Sequence, residues 1–217
     1  SAGVRRPPTE HWQDSIPSNK AIAIRLRAIG HKLGKDYSAA VTAYHEALKI
    51  QRSISPESDG VAITLNSLAD AEQLNKDYPA AERDYREALR IAKINKDDEG
   101  IAIYTGNLAA LALDREQWAE AESLAREALP LSEKVGRLEL IADDCHRLAQ
   151  AILKQNPARV GATRPVQESA LSDREGSPLQ EALSLSRRAV EIYTRLRHPD
   201  LQSVQETLAE IEEKLKK

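Results

Sequence analysis

Cys145 and His146 stand side by side, and a thiol next to an imidazole is the pairing from which nucleophile-and-base chemistry is built. The surrounding stretch, LIADDCHRLAQAIL, has helical spacing of its apolar residues. Neighbours i and i+1 of a helix point to different sides, so this pair cannot share a hydrogen bond by itself. Asp143 and Asp144 just before it, like KDDEG at 96–100, read as carboxylates that complement exposed amides at a helix start, with Asp143 the one turned outward. KDDEG lacks the alternating oxygen ligands of a calcium loop. No Gly-rich phosphate loop, paired Cys-x-x-Cys or His-Glu-x-x-His occurs, and Asp173, Arg174 and Glu175 are too few to form a catalytic set. The chain therefore reads as non-catalytic, with no cofactor and no metal.

Composition narrows the class of fold. The 217 residues include no Phe and no Met, two Trp and six Tyr, so the interior must be filled by Ala, Leu, Ile and Val, which suits closely approaching helices. A formal charge of −3 argues against a nucleic-acid partner, which would need a concentrated basic surface. There is no apolar run of membrane-spanning length and no signal-peptide pattern, so the expected setting is cytoplasmic, with no membrane partner. One cysteine cannot form an internal disulfide. A chain starting at Ser1 without methionine reads as a processed product or a piece of a longer protein.

What positions any site here is a repeat. DYSAAVTAYHEALKIQ at 36–51 returns as DYPAAERDYREALRIA at 77–92 and, more loosely, as EQWAEAESLAREALPL at 116–131. Ala40, Ala81 and Ala121 are 41 and then 40 residues apart, and Ala47, Ala88 and Ala128 keep that spacing. Self-similarity at a fixed period of this length marks a solenoid, whose units bury their apolar faces against neighbours. Ala81, Tyr85, Ala88 and Ala92 form one helical stripe, while Glu82, Arg83, Arg86, Glu87 and Arg90 lie opposite and face water. A second stripe precedes each of these, at 61–74 and 101–113, joined to it by turns such as Asn75-Lys76-Asp77. The result is an antiparallel helical hairpin with small residues at the facing positions, Ala69 with Ala81 and Ala109 with Ala121.

This pattern resembles the tetratricopeptide repeat: Ala28, Ala40, Tyr44 and Ala47 in the first unit, and Ala69, Ala81, Tyr85 and Ala88 in the second, occupy its small and aromatic positions. Ala125 replaces the aromatic in the third. The period near 40, TLNSLA at 64–69 and HPDLQSVQETLAEI at 198–211 are similar to the kinesin-light-chain variety, whose helices are lengthened. The resemblance implies an all-α, right-handed α-solenoid of four helical hairpins plus a C-terminal capping helix. Units are expected at about 20–54, 58–95, 99–135 and 139–197, with the cap at 200–216. Residues 1–19, with Pro7, Pro8 and Pro17, are expected to be extended or disordered, with Trp12 able to pin them to the first hairpin. A fourth unit starting at Leu140 needs 21 extra residues before Ala182, so 156–180, rich in Pro and Gly, is read as a surface loop that folds over the groove, docks a neighbour or sits idle.

The resemblance also implies which face binds. In this family the first helix of each hairpin lines a concave groove at the fifth, sixth, ninth and twelfth positions. In register these are Arg25, Leu26, Ile29 and Lys32; Asn66, Ser67, Asp70 and Gln73; Gly106, Asn107, Ala110 and Leu113; and His146, Arg147, Gln150 and Leu153. Of these, Arg25, Asn66, Ser67, Asp70, Gln73, Asn107, His146, Arg147 and Gln150 are the candidate peptide-binding residues. Amide side chains can donate to and accept from an extended backbone, and Arg can hold a carboxylate with two bonds. Gly106 and Ala110 would leave room for a ligand side chain, Cys145 takes an inward structural position, and His31 is a packed or half-buried imidazole. The expected function is a protein- or peptide-binding scaffold, able to homo-oligomerise through its ends or the 156–180 loop. The alternative is the sensor or oligomerisation arm of a larger, bacterial signalling protein, such as a nucleotide-switch ATPase or a repeat-fused protease.

Overall fold

A computed structural model describes residues 11–156 and 177–216, and the side chains of these from Pro17 onward. The Trp12 side chain, the Asp173–Glu175 cluster and most of the 156–180 segment lie outside this description. Among the described residues there are nine α-helices and no strand: α1 His11–Leu33, α2 Tyr37–Ile54, α3 Asp59–Leu74, α4 Tyr78–Asn95, α5 Asp98–Asp114, α6 Trp118–Val135, α7 Leu138–Gln155, α8 Pro178–Leu196 and α9 Leu201–Leu215. They fall into two compact units, one ending at Gly100 and the other starting at Ile101.

The same three-residue turn closes the first three hairpins. Lys35, Lys76 and Glu116 adopt positive φ of 61°, 65° and 58°. Each places the next amide on the carbonyl five residues back: Asp36 on His31, Asp77 on Glu72 and Gln117 on Ala112, all at 2.9 Å. These bonds satisfy carbonyls that a helix end would otherwise leave orphaned. Asp36 and Asp77 then cap the following helices, their carboxylates accepting from the amides of Ala39 and Ala80 at 3.1 and 3.3 Å. At the start of α5, Asp98 and Glu99 occupy the first turn and Asp97 accepts from the Gly100 amide at 3.0 Å, the acidic start the sequence suggested.

In the first unit α1 packs on α2, α2 on α3 and α3 on α4. Ala28, Ala40, Ala69, Ala81 and Ala88 are fully buried there, around the large side chains Tyr44, Leu65, Leu68, Tyr85 and Ile91. In the second, α7 is packed by α6, α8 and α9. One cluster joins Ala109, Ala125, Leu148, Ala149, Ile152, Leu153, Ala182 and Ile211, and another joins Ile141, Ala142, Cys145, Ala189, Tyr193 and Val204. Small residues where helices face each other let the backbones approach, and the branched aliphatics fill the remaining gaps.

Two stretches read as irregular are helical. Residues 11–19 belong to α1, with Pro17 inside it. Proline's fixed φ suits a helix and its cost is local, while extending an existing helix adds a hydrogen bond per residue without a new nucleus. Residues 178–180 are the first turn of α8, with Pro178 where the missing N–H would be unpaired in any case.

Candidate functional site

The first helices of the hairpins bring the candidate residues to their own exposed faces, and each unit treats them differently. In the first unit Asn66, Ser67, Asp70 and Gln73 are all half-buried on α3. Asp70 accepts from Lys32 of α1 at 3.2 Å and from the Tyr85 hydroxyl of α4 at 2.6 Å, and that hydroxyl also reaches Gln73 at 3.0 Å. Asp70 and Gln73 thus tie three helices together as well as facing outward. The Ser67 hydroxyl donates to the Ile63 carbonyl at 3.0 Å. Arg25 is half-buried, and its Nε has no hydrogen-bond partner among the described residues. Burial pushes the Tyr44 hydroxyl up, with Lys32 and Arg25 opposing and Asp70 reinforcing that shift.

In the second unit an open cleft of about 310 Å³ is lined by Ala110, Leu113, Asp143, His146, Arg147 and Gln150, with Tyr193, Asp200 and Ser203 on the far wall. Asn107 is half-buried on α5. The sequence reading missed the network beneath this cleft. Asp144, only 1 % exposed, accepts from the Ser132 hydroxyl at 2.6 Å and from Arg147 at 3.0 Å; Arg147 also lies 3.6 Å from Asp143. Tyr193 donates to Asp143 and stacks on His198 with ring centroids 4.2 Å apart. Burial, reinforced by the Asp143 carboxylate, raises the Tyr193 hydroxyl well above the usual phenol range.

Three expectations need correcting. Gly106 leaves no room for a ligand: a methyl there would stand 2.6 Å from Asp144 Oδ1 and 2.9 Å from Arg147 Nη1. Leu153 is 1 % exposed, because α9 covers that end of α7 and brings Ile211 into the same cluster. Asp143 and Asp144 sit beyond the first turn of α7, where they anchor side chains and do not complement the helix start. Gly106→Ala is accordingly expected to destabilise the protein by about 1–3 kcal/mol in urea denaturation, despite alanine's better helix propensity, because both oxygens of Asp144 are already committed.

Cys145 is fully buried, and its thiol is pushed up to about 11, mainly by that burial. A thiol so far from ionisation is a core residue. His146 is held down to about 4, first by burial and then by the Arg147 charge. Its Nε2 lies 3.0 Å from Thr207 Oγ1, whose hydroxyl donates to the Ser203 carbonyl at 3.2 Å, so the ring is the neutral tautomer with Nε2–H donating. Between pH 6.5 and about 4 the unfolded chain binds a proton that the folded one does not. Acidification through that window should cost about 3 kcal/mol. An NMR titration should show the His146 ring still neutral at pH 5. His31 is half-buried, with Nδ1 3.9 Å from Asp36.

A larger cleft, of about 630 Å³, lies on the other side of the first unit, lined from α2 by His45, Leu48 and Arg52 and from α4 by Arg83, Asp84, Arg86, Glu87 and Arg90. Its α4 arginines are engaged by carboxylates: Arg83 with Asp84 at 2.8 Å, Arg86 with Glu82 at 2.9 Å, and Arg90 with Glu87 at 2.9 Å and Glu57 at 2.8 Å. This is the face that the sequence assigned to water.

The family model for the tetratricopeptide repeat matches residues 19–94 and 61–134. The chain belongs to the tetratricopeptide repeat family. Among solved structures it is similar to BtubC (BKLC) from P. vanneervenii, at 18% identity over 94% of this chain and 76% of that one, with a TM-score of 0.71. It is also similar to the nearly identical TPR-like repeats of a Podosopora anserina protein assigned as a kinesin light chain, at 19% identity over 91% of this chain and 87% of that one, with a TM-score of 0.66. These likenesses show the fold: an all-α helical-repeat solenoid whose structural relatives are kinesin-light-chain-like. No curated protein matches the chain. Among the described residues no group of acidic, His or Cys side chains is placed to hold a metal ion, and no helix is long and apolar enough to cross a membrane.

Proposed function

We propose that this tetratricopeptide repeat chain is a non-catalytic protein-binding module that holds a polypeptide segment against the exposed faces of its first helices. The observation that carries this is the second unit's open cleft, which Asp143, His146, Arg147 and Gln150 of α7 line together with Tyr193, Asp200 and Ser203. A network of buried bonds fixes the rotamers of its walls, so a bound segment would lose entropy while the receptor loses little. Arg147 is already bound by two carboxylates, so the amide of Gln150 and the rim of Asp143 and Asp200 are the groups available to a ligand backbone.

The test is a peptide selected by phage display on the intact chain and titrated by calorimetry. Gln150→Ala is expected to weaken it at least tenfold and leave the thermal melt unchanged. Unaltered affinity would remove the α7 face from the binding surface.

A further inference from the structure

The second hairpin departs from the others at one contact. Three residues beyond the facing alanines Ala69 and Ala81 stand Glu72 on α3 and Asp84 on α4. The same register positions hold His31 and Ala43 in the first hairpin, Ala112 and Leu124 in the third, and Ile152 and Leu185 in the fourth. Ala112 and Leu124 share one apolar cluster, and Ile152 and Leu185 share another. This place between paired helices is therefore a core contact, and α3 and α4 fill it with two carboxyls. Both are buried, Glu72 at 3 % and Asp84 at 6 % exposure. A lone acid there would be costly, whereas a matched pair can share one proton.

The groups around Glu72 do not keep it ionised. Its helix is packed by α2 and α4. From α2 comes His45, with Nε2 4.0 Å from Glu72 Oε1; from α4 come Arg83, with Nη2 at 3.8 Å, and Asp84; from the turn comes the charge of Asp77. Neither cation is within hydrogen-bonding distance of Glu72, and Arg83 Nε already donates to Asp84 at 2.8 Å. Glu72 Oε2 is buried and has no hydrogen-bond partner among the described residues. A protonated Glu72 that donates to Asp84 satisfies both acids. Its carboxyl is accordingly pushed up to about 8, chiefly by burial and then by Asp84, with Arg83 opposing.

We propose that Glu72 and Asp84 are a proton-operated latch on the end of the α3–α4 hairpin: closed, they share one proton, and the first two turns of α4 open as that proton passes to bulk water. Opening becomes easier as pH rises from 4.5, where a solvated Glu72 ionises, to about 8, where the closed pair loses the proton as well. Below 4.5 both forms hold it, and pH has no leverage. Tyr85 follows Asp84, and its hydroxyl holds Asp70 and Gln73 on α3, so opening also loosens that outward face. The latch operates whether or not that face binds a polypeptide.

Amide hydrogen exchange of the intact chain, followed by NMR at pH 5 and pH 8 with each rate divided by its unstructured value at that pH, tests the latch. Protection of the Ala81–Tyr85 amides should fall at least tenfold from pH 5 to pH 8. At pH 8 they should be at least tenfold less protected than Ala43–Ala47 of α2 and insensitive to dilute urea, as for an opening that exposes little surface. Glu72→Gln, which keeps His45 and Arg83, should remove the fall. Glu72→Ile with Asp84→Leu, the residues of the fourth hairpin, should do the same. The 13C shift of the Glu72 carboxyl should remain that of the acid at pH 6. Constant protection would mean that Arg83 moves onto the ionised carboxylate in place of an opening, and it overturns the proposal. So does a fall that survives Glu72→Gln, or a Glu72 carboxyl already ionised at pH 6. One shared protection and urea dependence for Ala81–Tyr85 and Ala43–Ala47 would mean that the unit unfolds as a whole, which also overturns it.

Discussion

Asp144→Ala is expected to cost the second unit about 3–4 kcal/mol. The carboxylate is buried and carries both the Ser132 hydroxyl and the Arg147 guanidinium, so its removal strands a fully buried hydroxyl and leaves Arg147 with Asp143 alone, 3.6 Å away. Breaking a buried pair on one side is costly because the other charge stays desolvated. Burial raises the carboxyl of Asp144 despite Arg147, so charge repays only part of the cost of placing it there. Asp144→Asn keeps an acceptor for Ser132 and should lose about half as much. Urea midpoints at unchanged m-value are the measurement. Equal, small losses in both variants would mean that the network does not hold α6 to α7.

Glu72→Gln is expected to stabilise the first unit, increasingly so as pH rises. Glu72 is 3 % exposed, its Oε2 has no hydrogen-bond partner among the described residues, and its carboxyl is pushed up to about 8, chiefly by burial and then by Asp84. Below pH 4.5 folded and unfolded chains both hold the proton, and the group adds no pH dependence. Between 4.5 and about 8 only the folded chain holds it, so stability falls as pH rises, and the loss is complete above about 8. Glutamine is neutral throughout and nearly the same shape. Its advantage over the wild type should be small at pH 5 and reach about 2–4 kcal/mol at pH 8. A difference that does not change between those pH values would place the carboxyl in water.

The repeat was legible because its alanines are constrained from two sides. Ala69 and Ala81 are fully buried where helices meet, and no larger side chain fits without parting the backbones, so the period survives in the sequence. Cys145 and His31 were legible for a similar reason, since position within the repeat decides their burial. The ends of the helices were less so: Pro17 and Pro178 suggest loops in isolation, yet each is compatible with helix where it stands. Least legible were contacts between side chains far apart in sequence. Nothing local to Gly106 says that Asp144 and Arg147 fill the space above it, and nothing local to Leu153 says that α9 folds over it.

The most direct test of first-helix binding is an amide chemical-shift map of the intact chain, titrated with the phage-selected peptide. Shifts should gather on the outward residues of α1, α3, α5 and α7, among them Leu26, Ser67, Asn107 and Gln150, and leave Arg52, Arg86 and Arg126 in place. Shifts concentrated on those arginines of α2, α4 and α6, with Ser67 and Gln150 unmoved, would put binding on the second helices and contradict the function proposed for this protein.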